Sequence, residues 1–394
     1  MILKIGTKEI RTSDLNLIFF YMLSFIIVSE FADSFPIKLK YLFVIIAIIS
    51  VMINKGIRKG ENQKIIIIIF LMGVNTLFQM IINFFPDGLG GGLITLFTIG
   101  ILFVPLYIGN FLFEDRGIKI GSELTFLAGF TILFLWSNFG FLANWNTNSL
   151  GYLAFFGVAC GVLLFYSFKH FMVRTLIIIL LIYAGFMVQK TDSRNVTMAY
   201  VLLIILTVFN KVFDKKWIYR GIYIFSILYC YLFPKFSILF VNSNDSESVQ
   251  LYQKIVLITQ EYFNKESGIF SGRIDIWTKG FEMIHDTTWN FLFGHGAMLN
   301  TLPAHNNYIP IVYSFGIVGA IAIAIILIMI FEKAYRLKVQ GDKIAYGCAT
   351  ILMGTFVQLG AEGFLFAINM LTLMPFVFMG IILGREYQKR RRFE

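Results

Sequence analysis

The sequence has little charge, few cysteines and few prolines. Only 14% of its 394 residues are Asp, Glu, Lys or Arg, against about 25% in an ordinary soluble protein. Its 3 cysteines, Cys160, Cys230 and Cys348, all lie in apolar runs, and no Cys-x-x-Cys spacing occurs. This argues against a disulfide framework and against a zinc site. The low charge also excludes a soluble domain and a disordered chain.

The apolar content is correspondingly high, at 58% hydrophobic and 17% aromatic residues with a mean hydropathy of +0.76. A membrane helix needs about 20 apolar residues. The composition therefore predicts an all-α polytopic protein in a lipid bilayer, with residues 1–394 forming a single membrane domain. The apolar runs predict twelve spans, at 15–33, 39–53, 65–84, 93–113, 124–143, 150–168, 175–190, 195–210, 217–240, 307–331, 344–365 and 368–384.

The distribution of basic residues predicts the orientation, because Lys and Arg are enriched in cytoplasmic loops. With a cytoplasmic N-terminus, 24 of the 33 basic residues fall on the inner side. The inner segments are 4–11, 55–64, 116–119, 169–174, 211–220, 333–343 and 385–392. We therefore expect a multi-pass protein of the bacterial plasma or inner membrane with both termini cytoplasmic. The net charge of +10 then reflects topology rather than nucleic-acid binding, and 385–392 is predicted to anchor in lipid headgroups.

One predicted outer loop, residues 242–306, is far longer than the others. Loops of this length are usually functional or disordered. Apolar residues at helical spacing predict an amphipathic helix over 249–263 and a second helix over 274–284, with Trp277, Phe281 and Ile284 on one face. The large extracytoplasmic loop is therefore predicted to be folded.

Polar residues beside membrane spans are candidates for function. Lys190 and Arg194 lie on the outer side, where cations are otherwise rare. Two interpretations stay open: snorkelling to the interface, or a cationic site for an anionic group such as a lipid diphosphate. Arg273, which follows Gly272, can present a guanidinium fork to a phosphate. Trp277 is predicted either to contact a sugar face or to anchor its helix.

The third candidate segment precedes the tenth predicted span. His305, beside Asn306, can act as a general base on a hydroxyl near neutral pH, or it can be an interfacial histidine. Glu362 is an intramembrane acid and hence a site candidate, or it pairs with an outer cation. His295, between two glycines, is interpreted as a turn residue. Asn75, Gln79 and Gln358 are expected to form interhelical hydrogen bonds.

In their order and spacing these motifs resemble the shared core of the O-antigen ligase and polymerase superfamily, bacterial membrane glycosyltransferases that use polyprenyl-diphosphate-linked oligosaccharides. The matching residues are Ser271-Gly272-Arg273-x-x-x-Trp277, Phe293-Gly294-His295-Gly296, His305-Asn306-x-Tyr308 and Gly316-x-x-Gly319. The segment Ser193-Arg194-Asn195 is similar to the Arg-bearing outer loop of that family. The chain departs from some polymerases in having one long outer loop instead of two Arg-rich ones.

The resemblance implies a fold of the membrane glycosyltransferase C type and an inverting transfer that needs no metal or other cofactor. His305 would be the base, and Arg273 and Arg194 would hold the diphosphate. Asn306 would orient His305 or the sugar. The remaining residues implied to bind substrate are Lys190, Trp277, Tyr308 and Glu362. The implied partners are the polyprenyl-diphosphate-linked oligosaccharide, a flippase and a chain-length regulator.

Three activities stay open from the sequence. A polysaccharide polymerase, which makes O-antigen, capsule or exopolysaccharide, is favoured. An O-antigen ligase, which moves a finished chain onto lipid A core, is the first alternative. A lipid-linked oligosaccharide flippase or transporter is the second, although it predicts inverted repeats and polar residues near the bilayer midplane. Here the polar candidates cluster at the outer interface.

Overall fold

A computed structural model of the chain describes residues 2–5, 8–11, 45, 48–49, 61–83, 88–111, 115–140, 147–191, 193–242, 273–297, 306–360 and 370–391. Within this part the chain is mainly helical. Its helices are α1 Glu61–Ile82, α2 Gly88–Gly100, α3 Val104–Phe111, α4 Asp115–Phe139, α5 Thr147–Ser167, α6 Phe171–Gln189, α7 Arg194–Val208, α8 Lys216–Asn242, α9 Arg273–Ile284, α10 Thr288–Phe293, α11 Tyr308–Val339, α12 Lys343–Gln358 and α13 Met370–Arg391. Short 3-10 helices, Ile101–Phe103 and Val212–Asp214, join α2 to α3 and α7 to α8.

The N-terminus differs from the all-helical expectation. Strands β1 (Ile2–Ile5) and β2 (Lys8–Arg11) pair antiparallel, from Ile2 opposite Arg11 to Ile5 opposite Lys8. Lys4 lies opposite Glu9, an opposite-charge pair of the kind that stabilises antiparallel strands. This hairpin precedes the first predicted span.

Among the described residues, six helical segments are long and apolar enough to cross a membrane: Asn62–Ile82, Gly92–Gly109, Asp115–Phe139, Phe171–Gln189, Lys216–Ile238 and Tyr308–Val339. The prediction of a helical membrane protein is confirmed at this level. The last ten predicted spans each coincide with described helix, whereas 15–33 lies outside the described residues and 39–53 almost entirely so. The count of twelve spans stays a prediction.

Helix α12 lies at the centre of the bundle. Every residue from Ile344 to Gln358 is buried, and the helix packs against α5, α7, α8, α11 and α13. Small residues allow these close approaches. At Gly354, for example, a Cβ would come within 3.0 Å of the Phe155 ring and 3.2 Å of the Ala199 carbonyl. A helix apolar on all sides is stable only when it is surrounded in this way.

Ion pairs bring the predicted cytoplasmic segments together at one end of the bundle. Arg220 donates to both carboxylate oxygens of Glu332, at 2.7 and 2.9 Å. Lys338 lies 2.8 Å from Asp214. Lys119 lies over the ring of Phe168, 4.2 Å from its centroid. The grouping agrees with the predicted loop pattern, while the side of the membrane on which this end lies stays a prediction.

Arg385 corrects one expectation about the basic C-terminal stretch. Its side chain is only 13% exposed and contacts Asp115 at 2.5 Å and Asp342 at 2.7 Å. These contacts join α13 to the start of α4 and to the turn before α12. Arg385 therefore holds helices together instead of anchoring in lipid headgroups, because two carboxylates already surround its guanidinium.

Helix α11 is broken at Gly316, where φ is 69° and ψ is 178°. The turn after α10 fits against this break. A Cβ at Gly316 would collide with the carbonyl of Leu292, and one at Gly294 would lie 2.5 Å from the carbonyl of Ser314. Only glycine tolerates both the positive φ and the contact. The break divides α11 into a piece of two turns before Gly316 and a longer piece after it. The first is called the outer piece below, after the predicted topology.

A buried ion pair between Lys333 and Glu386 provides a test of this packing. Lys333 is 1% exposed and Glu386 is 8% exposed. Removing Glu386 leaves the Lys333 charge buried, so Glu386→Leu should destabilise the protein by about 3–5 kcal/mol. Lys333→Met should cost less, because Arg336 also lies 3.8 Å from Glu386. The double variant should recover most of that loss. Thermal unfolding in detergent measures both, with exposed Lys343→Met as the control.

Equal unfolding temperatures for wild type and both single variants would contradict the pairing. So would a double variant whose loss equals the sum of the single losses.

Candidate functional site

At the opposite end of the bundle, Asn306 joins the start of α11, the middle of α8 and the residues that follow α12. It is fully buried, and its Nδ2 donates to the carbonyls of Cys230 and Gly360, both at 2.6 Å. Its Oδ1 accepts from the backbone N–H of Ile309 at 3.1 Å. The adjacent backbone N–H of Asn307 donates to the carbonyl of Leu359 at 3.2 Å. The beginning of α11 is thereby tied to α8 and to the end of α12.

The sequence explains why Asn306 is needed there. In a regular helix the Cys230 carbonyl would accept from the residue four positions later, which is Pro234 inside α8. Proline has no N–H, so that carbonyl loses its helical partner. Asn306 supplies the missing donor. Because its amide serves the backbone, any action of Asn306 on His305 or on a sugar stays a prediction.

Helix α9 forms where the sequence predicts it, and its predicted apolar face is confirmed. Trp277, Phe281 and Ile284 are buried on that face and pack with Ile309 and Val312 of α11. The Trp277 side chain has no exposed area and meets the ring of Phe233 edge-on, with centroids 5.7 Å apart. Of the two interpretations of Trp277, the contacts favour the helix anchor over a sugar platform.

Arg273 is the first residue of α9 and is partly exposed. Helix α9 packs against α8 and α11. Tyr308 begins α11 and lies against Tyr231, with ring centroids 4.5 Å apart, and against Phe281 at 6.1 Å. Arg273 and Tyr308 therefore belong to one assembly of α8, α9 and α11.

The other predicted cations lie in a separate turn. Lys190 ends α6 and is exposed, and Arg194 begins α7. Thr191 and Ser193 contact the backbone of α5, where a Cβ at Gly151 would lie 3.2 Å from each of their side chains. Whether Lys190 and Arg194 snorkel or bind an anion stays open. His305, Glu362 and the side chain of Arg194 lie outside the described residues.

The sequence did not predict a second polar cluster, formed by Asp286, Asn290 and His295. Nε2 of His295 lies 2.9 Å from Oδ2 of Asp286. Asn290 Nδ2 donates to the same oxygen at 3.1 Å, and the Thr287 backbone N–H donates to Oδ1 at 2.6 Å. The sequence signal that could have predicted this cluster is the four-residue spacing of Asp286 and Asn290 shortly before a Gly-His-Gly turn.

These hydrogen bonds keep Asp286 ionised at neutral pH. Partial burial acts to raise the pKa of its carboxyl, but donors from His295, Asn290 and Thr287 outweigh it and lower the pKa below its ordinary value. The stability this provides is present above the ordinary pKa of an aspartate. It is lost as the pH falls through the lowered value. At neutral pH an anion therefore faces His295.

The turn that carries His295 is held from two sides. The backbone N–H groups of His295 and Gly296 donate to the carbonyls of Tyr313 and Ser314 at 2.8 and 3.1 Å. From α1, Asn75 donates to the Phe293 carbonyl at 2.9 Å, and Asn83, just past its end, donates to the His295 carbonyl at 3.0 Å. The interpretation of His295 as a turn residue is thus confirmed, but its side chain is engaged as well.

Of the three predicted interhelical amides, two have partners. Asn75 bonds the turn after α10, and Gln79 Oε1 accepts from Trp289 Nε1 of α10 at 3.0 Å. The expectation for Gln358 is wrong. Its Nε2 and Oε1 are both buried without a hydrogen-bond partner in the part of the chain that the structure describes.

An apolar cleft of about 360 Å³ opens beside Asn307 and Tyr308, between α8, α11 and α12. Its walls are almost entirely hydrocarbon and include Ile227, Ile311, Ala320, Ala324, Leu327 and Phe356. The cleft begins within three residues of His305 in the sequence and extends along α11 toward the bilayer interior. Such a shape suits a hydrocarbon chain.

Lys235 lies one helical turn beyond Tyr231 on the same face of α8, and Tyr231 lines the cleft. The Lys235 ammonium sits 4.9 Å from the centroid of the Phe281 ring. None of the described carboxylates forms an ion pair with it. A half-buried cation near the end of a membrane-spanning helix is expected to have an anionic partner.

No protein-family model matches the chain, and no curated protein sequence matches it.

Replacing Asn306 tests its role in joining α8, α11 and the end of α12. Asn306→Ala leaves two buried carbonyls and one N–H without partners, at about 1–3 kcal/mol for each. We expect a large loss of thermal stability in detergent. Asn138→Ala is the matched control, because Asn138 is exposed and donates only to Phe134 within its own helix. Unchanged stability of Asn306→Ala would show that other groups or water satisfy these atoms.

Proposed function

We propose that the protein is a membrane glycosyltransferase that polymerises polysaccharide from polyprenyl-diphosphate-linked oligosaccharide units on the outer face of a bacterial cell membrane. The observation that carries the proposal is the apolar cleft beside Tyr308 with Lys235 above it. A polyprenyl chain needs a hydrocarbon-lined groove that opens to the bilayer. Its diphosphate needs cations where the groove reaches the interface.

The proposed reaction needs positioning, a base and cations. A hydroxyl oxygen of the acceptor sugar attacks the anomeric carbon of the donor, and the bond from that carbon to the diphosphate oxygen breaks. His305 takes the hydroxyl proton. The electron pair leaves with the polyprenyl diphosphate, whose growing charge Arg273 and Arg194 stabilise. The carbon is attacked opposite the leaving group, so its configuration inverts.

The cleft also bears on the alternatives. A carrier that moves an oligosaccharide across the bilayer needs polar groups along the path near the midplane. The described cleft instead has hydrocarbon walls, with Asn307, Tyr231 and Tyr308 as its polar lining residues. This favours transfer at the outer interface over transport. An O-antigen ligase would use the same donor and differ only in its acceptor, lipid A core.

Complementation of a deletion strain tests the activity. We expect wild type to restore a ladder of polysaccharide repeats on a gel, while His305→Ala and Arg273→Ala leave single lipid-linked units at normal protein levels. His170→Ala, at the opposite end of the bundle, should behave as wild type.

A complete ladder that stays unattached in the deletion strain would identify a ligase. Full activity of both variants would reject the transferase mechanism and favour a carrier.

Lys235→Ala tests the cleft. Loss of one ion pair to the diphosphate should weaken binding of a polyprenyl diphosphate about tenfold, or ~1.4 kcal/mol, as measured by native mass spectrometry of the purified protein. Lys279→Ala is the matched control, because Lys279 is an exposed outer lysine on α9.

Ala324→Phe should also weaken binding of the polyprenyl diphosphate, because the larger side chain fills the cleft. Ile325→Phe, at an exposed position of the same helix that does not line the cleft, should not. Equal affinities across all four variants would contradict the assignment of the cleft.

A further inference from the structure

The outer piece of α11, before Gly316, is held by contacts at both of its ends. Because Gly316 departs from helical geometry, the carbonyls of the turn before it lose their regular partners four residues later. The turn after α10 supplies replacements, since His295 and Gly296 donate their backbone N–H groups to Tyr313 and Ser314. The outer piece is thus held at its beginning by Asn306 and at its end by the turn of His295.

The His295 side chain reinforces this second attachment. Its ring stacks on the ring of Tyr313, with centroids 4.0 Å apart and planes within 11°. Nδ1 lies 3.2 Å from the Tyr313 carbonyl, and Nε2 lies 2.9 Å from the Asp286 carboxylate. One side chain therefore connects α11 to the loop between α9 and α10.

Both ring nitrogens of His295 have partners. Nδ1 faces the Tyr313 carbonyl. Nε2 faces the Asp286 carboxylate and also the Asn290 amide, whose Nδ2 lies 3.3 Å away. Asp286 is the charged group facing the ring, while Asn290 and Asn83 are neutral. Since neither nitrogen is available to accept a proton from substrate, His295 is unsuited to be the general base.

We propose that His295, hydrogen-bonded to Asp286 and stacked on Tyr313, is a positioning residue of the transferase that holds the outer piece of α11 in its working orientation. This rests on the proposed function. The outer piece carries Tyr308 at the mouth of the cleft and follows directly after His305 in the sequence. A shift of this piece would misplace the mouth relative to the reacting groups, and a misplacement of about 1 Å can lower a rate about a hundredfold.

Steady-state kinetics with purified lipid-linked units separates positioning from binding. We expect His295→Ala and Asp286→Ala to lower kcat by about 10- to 100-fold while KM stays within about twofold. The double variant should be no slower than the worse single variant, because the two residues act as one unit. Asp275→Asn, an exposed carboxylate on α9, is the control.

Conservative replacements distinguish the contributions of the two ring nitrogens of His295. Asparagine keeps a donor near the Nδ1 position and glutamine keeps one near Nε2. His295→Asn should therefore recover much of kcat by bonding the Tyr313 carbonyl, whereas Asp286→Asn should stay slow because it removes the charge. A uniform loss of folded protein across the series, or an unchanged kcat in His295→Ala, would overturn the positioning role.

Hydrogen exchange gives a readout that does not depend on activity. The amides of His295 and Gly296 should exchange faster in His295→Ala and Asp286→Ala than in wild type, with little change in the unfolding temperature. Unchanged exchange would reject the positioning role even if the protein is a transferase. The variants could exchange faster while the wild type transfers no sugar. That result would reject the proposed function but would still show that His295 and Asp286 hold the turn against α11.

Discussion

The structure depends on finding hydrogen-bond partners for backbone groups that helices leave unsatisfied inside a membrane. Water is absent there, so each unpaired carbonyl or N–H costs several kcal/mol. Pro234 frees the carbonyl of Cys230, the end of α12 frees that of Gly360, and the start of α11 frees the N–H of Ile309. Asn306 satisfies all three groups with one amide. The position of the proposed catalytic segment follows from this requirement, because Asn306 is the residue after His305.

The two ends of the bundle are held by different interactions. At the end rich in basic residues, ion pairs such as Arg220–Glu332 and Lys338–Asp214 cross between helices. At the other end, side-chain amides bond backbone carbonyls and aromatic rings pack face to edge. Charges near water are tolerated at modest gain. At the other end the Asp286 carboxylate bonds His295 and Asn290, and none of these three residues lines the cleft. A hydrocarbon-lined groove can therefore open directly beside a polar site.

Local patterns predicted helix positions and faces well. The buried side of α9 follows from the spacing of Trp277, Phe281 and Ile284, because helical periodicity is a property of a short segment. The same reasoning predicted only that His295 lies in a turn. Its stacking on Tyr313 could not be predicted, because no local pattern relates these two residues. Arg385 was assigned to the lipid surface by its basic neighbours, although Asp115 lies 270 residues away in the chain and binds it. The terminal hairpin was missed because its strands have only 4 residues each.

The sequence alone determined that the chain is a helical membrane protein and where most of its helices lie, because hydropathy acts on each segment independently. It also placed the candidate cations and the candidate base on one side of the predicted topology. Only the tertiary structure decided which polar atoms meet: Asn306 with Cys230, His295 with Asp286 and Tyr313, and Lys235 with the face of Phe281. These contacts join helices and loops distant in the chain. They depend on the direction that the helices take at breaks such as Gly316 and Pro234. Tertiary packing determines that direction, and local propensity does not.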